Sequence, residues 1–301
     1  MIKRFEDLEK KLKNQTNKPR IGVVCAHDLH TVEAIKSAVE KDLIEAVLIG
    51  IKKDISKILL KLDFNNPNLR IVDSDTDAES AVLGVKLVRA GEIDLLMKGK
   101  IQTKDFLKAV VNSDTGIKNS DVLSHIAINE LANYHKIIAI TDGGMVAYPD
   151  VKQKRAILQN AVELFNNLGY EKPKVAILAA VEVVNPKMQE TIDADEIKKM
   201  NLPNCIVEGP ISYDLTFSKE SAEIKGYKSE VTADVDILVM PNIATGNIVN
   251  KALIYSAGAK MAGIVVGAKV PIVLTSRGAS SEEKYYSVLL AALCNSKGET
   301  T

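Results

Sequence analysis

The sequence predicts an α/β protein with largely parallel sheets, folded as two lobes around a cleft. Three observations carry this. Short apolar runs alternate with helical patterns along nearly the whole length, the signature of crossover units that lay strands side by side in one direction. The chain has 301 residues, which at roughly 150 per domain means two cores rather than one. Two late apolar runs, DILVM from Asp236 and PIVL from Pro271, each break into a turn of small residues and a helix start.

Taken in order, the apolar run at 20–24 is the first strand, and 31–40 is a helix by its apolar spacing. Strands follow at 46–49 and 70–72; Thr76 with Glu79 then fits a capping box that opens a helix over 76–90, since each side chain satisfies an amide of the other's end. A strand at 95–97 leads into a helix at 104–111, and a strand at 136–140 ends in Thr141-Asp142-Gly143-Gly144. Pro149-Asp150 begins a long helix over 150–168, as a proline and an acidic cap should. Strands at 174–178, 206–208, 236–240 and 271–274 then frame helices at 187–200, 247–257 and 281–293, the last opened by a second capping box, Ser280 with Glu283. The glycines after Thr141 and a weaker shift near 263–270 divide the chain into a discontinuous lobe, 1–142 plus 268–301, and a lobe of 143–267.

Composition removes whole classes of function. Hydrophobic residues at 46% and charged ones at 26% exclude a disordered or fibrous chain. Lys and Arg total 39 and so do Asp and Glu, so no net field would hold a nucleic-acid backbone or an anionic membrane. Cys25, Cys205 and Cys294 have no metal-like spacing and read as reduced, mostly buried thiols of a cytoplasmic protein. The first eighteen residues are amphipathic and acid-containing, unlike a signal peptide, and no stretch has the length and apolarity of a membrane span.

Both late strands run into anion-ready turns. One holds Asn242, Gly246 and Asn247, the other Ser276, Arg277 and Gly278; amides at a helix start and the helix dipole both favour negative charge, so the substrate is expected to be phosphorylated. Lys98, Lys100, Thr103 and Lys104 surround another strand end and offer a grip for phosphates, although lysines there are more often solvated. G-x-x-x-x-G-K-[ST] is absent, because Gly99-Lys100 is followed by Ile101 and Asp94 stands where the first glycine belongs; G-x-G-x-x-G is absent too. That disfavours a P-loop NTPase and a standard dinucleotide enzyme. His27 and His125 read as satisfied structural imidazoles, and Asp193, Asp195 and Glu196 as a solvated face.

KG at Lys98-Gly99, SH at Ser124-His125, TDGG and YPD between Thr141 and Asp150, GPISYD from Gly209, PNIATGNIVNKAL from Pro241 and SRGASSEE from Ser276 together resemble the phosphate acetyl/butyryltransferase family, in its order, over about residues 18–297. The late pair is the most specific part. The compact length and the AHD segment at Ala26-His27-Asp28 are more similar to the phosphate butyryltransferase branch. The resemblance implies two α/β/α lobes with the active site in the cleft between them, an isocitrate/isopropylmalate dehydrogenase-like outline, and reversible acyl transfer between CoA and phosphate. It implies no metal or prosthetic group, with CoA a substrate, and a homodimer or higher homo-oligomer. The partners so implied are short-chain acyl-CoA, CoA, phosphate and acyl phosphate.

The family's catalytic Ser and Arg fall on Ser276 and Arg277, and its base on Glu283, where acetyl-specific relatives typically have Asp. Lys108 stands where those relatives carry an Arg for CoA, and Lys98, Lys100, Thr103, Ser124, Asn242, Gly246 and Asn247 complete the expected CoA and phosphate contacts. The chemistry suits these types. A CoA thiol of ordinary pKa about 8.5 needs a base; an Arg fork donates two parallel bonds to a phosphoryl group; a Ser hydroxyl can donate to the carbonyl oxygen as charge develops. Glu283 is equally well explained as the acidic member of its capping box. An acetyl-specific enzyme, a metal-dependent dehydrogenase of similar outline, and a noncatalytic CoA- or phosphate-binding module are the competing readings.

Overall fold

A computed structural model of the chain describes residues 1–276 and 278–294. Its first half contains Phe5–Lys13 (α1), Arg20–Val24 (β1), Leu29–Glu40 (α2), Glu45–Gly50 (β2), Lys52–Lys61 (α3), Leu69–Asp73 (β3), Asp77–Arg89 (α4), Leu95–Lys98 (β4), Thr103–Val110 (α5), Ser124–Glu130 (β5) and Ile138–Thr141 (β6). The second half continues with Val151–Asn167 (α6), Lys174–Leu178 (β7), Gln189–Lys199 (α7), Ile206–Ile211 (β8), Tyr213–Phe217 (α8), Lys219–Lys225 (α9), Ile237–Val239 (β9), Ile243–Ala257 (α10), Lys260–Val266 (β10), Ile272–Val273 (β11) and Ser281–Cys294 (α11). Every expected strand and helix has a counterpart, and the mixed, mostly parallel α/β class holds. Among the described residues no helix is long and apolar enough to cross a membrane.

The chain forms two compact units, Phe5–Ser120 with residues from Ala262 onward, and Asp121–Met261 with Met1–Arg4. These boundaries differ from the expected 142/143 and 267/268, and strand pairing gives the reason. β6 lies parallel to β9 and antiparallel to β5, so the β5–β6 hairpin belongs with the later strands. β10 pairs antiparallel with β11, which returns it to the earlier ones.

In the discontinuous unit the strands lie in the order β3-β2-β1-β4-β11-β10. All neighbours are parallel except β10 and β11. The chain lays β2 and β3 on one side of β1 and β4 on the other, so the direction of winding reverses between β1 and β4. α11 buries an almost continuous surface that includes Val288, Leu289, Leu290 and Leu293; each such side chain contributes about 1.5–3 kcal/mol on leaving water. Phe5 of α1 stacks on Tyr286 of α11 with ring centroids 4.7 Å apart, so the N-terminal helix covers this helix in turn.

In the other unit the order is β5-β6-β9-β7-β8, with β5 and β6 antiparallel and the rest parallel. α6 opens with a full capping box, Asp150 accepting from the Gln153 amide at 2.8 Å and Gln153 from the Asp150 amide at 3.0 Å. The Asp-Val-Asp segment holds the amino ends of the strands. Asp236 receives the Lys174 amide at 2.7 Å and the Lys136 ammonium at 2.6 Å. Asp234 takes Lys136, Lys174 and His135; burial works to raise its pKa, but the lysines outweigh it and hold the carboxyl below its ordinary range. One expectation fails here. Asp193 is not on a solvated face but 3% exposed, its carboxylate 2.6 Å from the equally buried Lys154 and 2.7 Å from the Gln189 amide nitrogen.

Candidate active site

Open parallel sheets bind ligands beyond the carboxyl ends of strands where the winding reverses, because there two successive loops diverge and leave a crevice. In the discontinuous unit that place is the ends of β1 and β4, with β11 next in line. Gly99, just past β4, is what brings them together: a Cβ there would stand 2.4 Å from the Cys25 carbonyl oxygen and 2.6 Å from that of Val24. With glycine in place, the Gly99 amide donates to the Val24 carbonyl at 2.8 Å and the Lys100 amide to that of Cys25 at 3.0 Å. Around these ends opens a cavity of about 590 Å³ whose wall includes His27, Asp28, Lys98, Lys100, Ser276 and Lys284. Three of the expected ligand residues, Lys98, Lys100 and Ser276, are thereby collected in one place.

Their states differ. Lys98 is buried, and its ammonium donates to the carbonyls of Gly99 and Ile101, both at 3.1 Å, so it fixes the loop after β4. Lys100 is exposed. The Ser276 hydroxyl oxygen accepts from the Gly278 amide at 3.3 Å, which leaves its O–H to donate elsewhere. Cys25 sits at φ 54 at the end of β1, and burial pushes its thiol up to about 12, far from a usable nucleophile.

Asp28 and Lys284 belong to this wall and were not among the expected site residues. Lys284 is 5% exposed, with its ammonium 3.5 Å from the Asp28 carboxylate. Asp28 also accepts from the Thr31 hydroxyl. Burial works to raise the Asp28 pKa, but Thr31 and Lys284 outweigh it and hold the carboxyl below its ordinary value. The sequence did hold a signal: Lys284 occupies the first place of the stripe continued by Val288 and Ala291, which are both fully buried. A charge at the head of an apolar stripe is where burial and an unusual partner should be sought.

Of the remaining expectations in this unit, Thr103 is the exposed first residue of α5, and Lys108 is exposed on its last turn. Lys108 does not join the cavity; it lines a separate groove between α4 and α5 with Lys86 and Arg89. Glu283 lies in the first turn of α11, its amide donating to the Ser280 hydroxyl oxygen at 3.1 Å as the capping pattern requires. Its carboxyl is not in the cavity wall, being about 100° round the helix from Lys284. Burial raises its pKa, with Lys284 only partly opposing. Arg277 lies outside the described residues.

The other expected residues form a second constellation within their own unit. α10 begins at Ile243, not at 247. Asn242 caps it, its side-chain oxygen accepting from the Thr245 amide at 3.0 Å and the Thr245 hydroxyl at 3.1 Å. The Gly246 amide therefore donates to the Asn242 carbonyl at 3.1 Å and is not an open helix-start donor. Asn247 donates from its side chain to the Gly143 carbonyl at 3.3 Å. Gly246 is needed for close approach, since a Cβ there would meet the Asp142 carbonyl oxygen at 2.6 Å and the Gly143 Cα at 2.9 Å.

The turn it touches is drawn tight by the Asp142 carboxylate, which accepts from the amides of Gly144, Met145 and Val146 at 2.7, 2.9 and 3.2 Å. Ser124 is fully buried and accepts from the Asn160 side chain at 2.9 Å. His125 packs against Gly144, and burial lowers its pKa with Asp142 partly opposing. Neither His125 nor His27 is the satisfied imidazole expected, for the Nδ1 of each is buried without a partner among the described residues.

A mostly parallel sheet with a crevice at its point of reversal, lined in part by lysines, is the arrangement of a ligand-binding α/β protein. The chain belongs to the family described as Phosphate acetyl/butaryl transferase, whose model matches residues 76–292. It is 38% identical to a phosphate butyryltransferase of Clostridium acetobutylicum over 97% of this chain and 98% of that one. It is also 38% identical to a phosphate acetyltransferase of Thermotoga maritima over 91% and 94%. A crystal structure of a branched-chain phosphotransacylase from Enterococcus faecalis V583 matches with a TM-score of 0.82 at 31% identity, covering 92% of this chain and 99% of that one.

Proposed function

We propose that this chain is an acyltransferase that moves a short acyl group reversibly between coenzyme A and inorganic phosphate, with butyryl the favoured group: butanoyl-CoA + phosphate = butanoyl phosphate + CoA. One observation supports it above the rest, the cavity at the ends of β1, β4 and β11 with Ser276 and lysines in its wall, in a chain of this family. Toward the thioester, the CoA sulfur bonds to the carbonyl carbon, the carbon–oxygen bond to the phosphoryl group breaks, and phosphate leaves with the electron pair. Glu283, whose carboxyl lies outside the cavity wall, is assigned the thiol proton on the family resemblance alone. Burial raises its pKa, with Lys284 partly opposing, which makes its carboxylate a stronger base than that of an exposed glutamate. The Ser276 hydroxyl donates to the carbonyl oxygen as it gains charge. Arg277 grips the phosphoryl group, a role taken from the family resemblance.

Transfer is direct, without an acyl-enzyme: the Cys25 thiol is too basic to attack, and Ser276 is reserved for the oxyanion. Cytoplasmic operation as a homodimer is part of the same reading. A second reading, acetyl transfer, is favoured by the equal identity to the Thermotoga acetyltransferase. A methylene in an acyl pocket is worth only about 0.8 kcal/mol, so the two differ in rate rather than in kind. Purified protein given acetyl-, propionyl-, butyryl- or isobutyryl-CoA with phosphate should release thiol, fastest with butyryl-CoA. A higher kcat/KM for acetyl-CoA would transfer the assignment to the second reading, and no thiol release from any of the four would end both.

A further inference from the structure

The cavity wall contains a buried cation, Lys284, for which the described residues provide one long ion-pair contact and the charge of its neighbour Glu283. The Lys284 side chain is 6% exposed, and among the described residues its ammonium meets one partner, Asp28 Oδ2, at 3.5 Å. That oxygen also accepts from the Thr31 hydroxyl. An ammonium has three N–H groups, and burying it with one long contact is costly unless further acceptors arrive. Lys98 is different, because two loop carbonyls at 3.1 Å already accept from it. Lys100 is exposed. The same wall includes Ser276 and His27, whose Nδ1 is buried without a partner among the described residues, and the cation sits in the first turn of a 14-residue helix whose dipole adds to its charge.

We propose that Lys284, positioned by Asp28, binds the phosphoryl oxygens of the substrate: inorganic phosphate in one direction, the phosphoryl end of the acyl phosphate in the other. This rests on the acyltransferase reading for its substrate, while the residue's own case is the unmet demand of its ammonium. Lys284 supplies a point charge, and the three equatorial oxygens of a phosphoryl group supply the acceptors that Asp28 leaves unprovided.

The test compares wild type with Lys284→Met and Lys284→Arg in two measurements. In initial rates with butyryl-CoA and varied phosphate, Lys284→Met should raise the KM for phosphate about 10- to 100-fold. Its KM for butyryl-CoA should stay within about twofold, and Lys284→Arg should recover much of the phosphate affinity. In thermal unfolding without acyl-CoA, inorganic phosphate should raise the midpoint of wild type and fail to raise that of Lys284→Met. An unchanged phosphate KM, or equal loss toward both substrates in Met and Arg variants alike, would overturn the proposal. If Lys284→Met does not fold, Asp28→Asn/Lys284→Met removes the stranded carboxylate and is read the same way. A wild type stabilised by phosphate through Lys284 yet turning over no acyl-CoA would defeat the acyltransferase reading and leave this one standing.

Discussion

Replacing Gly246 by alanine sets two well-calibrated effects against each other. Gly246 is in the first turns of α10, where alanine is better than glycine by about 0.8–1.0 kcal/mol on intrinsic helix propensity. The added methyl would stand 2.6 Å from the Asp142 carbonyl oxygen and 2.9 Å from the Gly143 Cα, where ordinary contact begins near 3.4 Å. The obstacle is backbone, so no rotamer change relieves it. Nor can the turn retreat freely, because Asp142 ties three following amides and the Met240 amide is bonded to the Thr141 carbonyl at 2.7 Å.

Overpacking of this kind costs about 1–3 kcal/mol. Separating α10 from the turn also breaks the Asn247 to Gly143 bond, worth about 1 kcal/mol, which cancels the propensity gain. The expected result for Gly246→Ala is a net loss of about 1–3 kcal/mol, or roughly 2–12 °C in midpoint, measured by urea and thermal unfolding followed by far-UV circular dichroism. Lys251→Ala, at an exposed place in the same helix, should lie within about 0.5 kcal/mol of wild type. If Gly246→Ala equals or exceeds wild type in stability, the close approach of α10 to the turn is not what holds glycine there.

Glu283→Gln keeps the helix cap, which uses the backbone amide, and should lower kcat about 10²- to 10⁴-fold in steady-state assays of CoA with butyryl phosphate. In wild type the rate should fall as pH drops through a pKa above the ordinary glutamate value, since burial raises it and the protonated carboxyl accepts nothing. That acid limb should be absent in the variant, and a variant with wild-type kcat and limb would leave Glu283 only its cap. Lys154→Met strands the Asp193 carboxylate in the core and should cost about 3–5 kcal/mol in urea unfolding. Lys154→Met/Asp193→Leu should recover most of it, and a single-variant loss below about 1 kcal/mol would show that the pair is not held dry.

The parallel strands were legible because strands buried on both faces read as continuous apolar runs, as RIGVV and KVAIL do. β5 and β10, each in an antiparallel pair, were not. β5 places three apolar residues between Ser-His and Asn-Glu, and β10 is interrupted by Gly263, whose amide donates to the Ser287 hydroxyl oxygen of α11 at 2.9 Å. Neither pattern stands out without knowing its neighbour. The start of α10 was misplaced because Gly246-Asn247 looks like a helix opening, while the true cap, Asn242, precedes an apolar Ile243 with no acidic residue in the first turn.

Site residues divide along the same line. Loop positions at strand ends, Lys98, Lys100 and Ser276, can be found from order alone, since every parallel strand delivers its following loop to the same edge. Which of those groups is left with donors to offer depends on partners distant in sequence. Asp28 with Lys284, and Lys154 with Asp193, are pairings that no spacing rule announces.

β11 is two residues long and the last strand of the chain, yet it lies between β4 and β10 rather than at a margin. Ile272 is set beside Leu96, with the whole segment 121–261 intervening along the chain. Bringing such remote partners together costs loop-closure entropy before any contact rewards it. The crevice edge bearing Ser276 thus takes shape only once strands remote from each other along the chain have met.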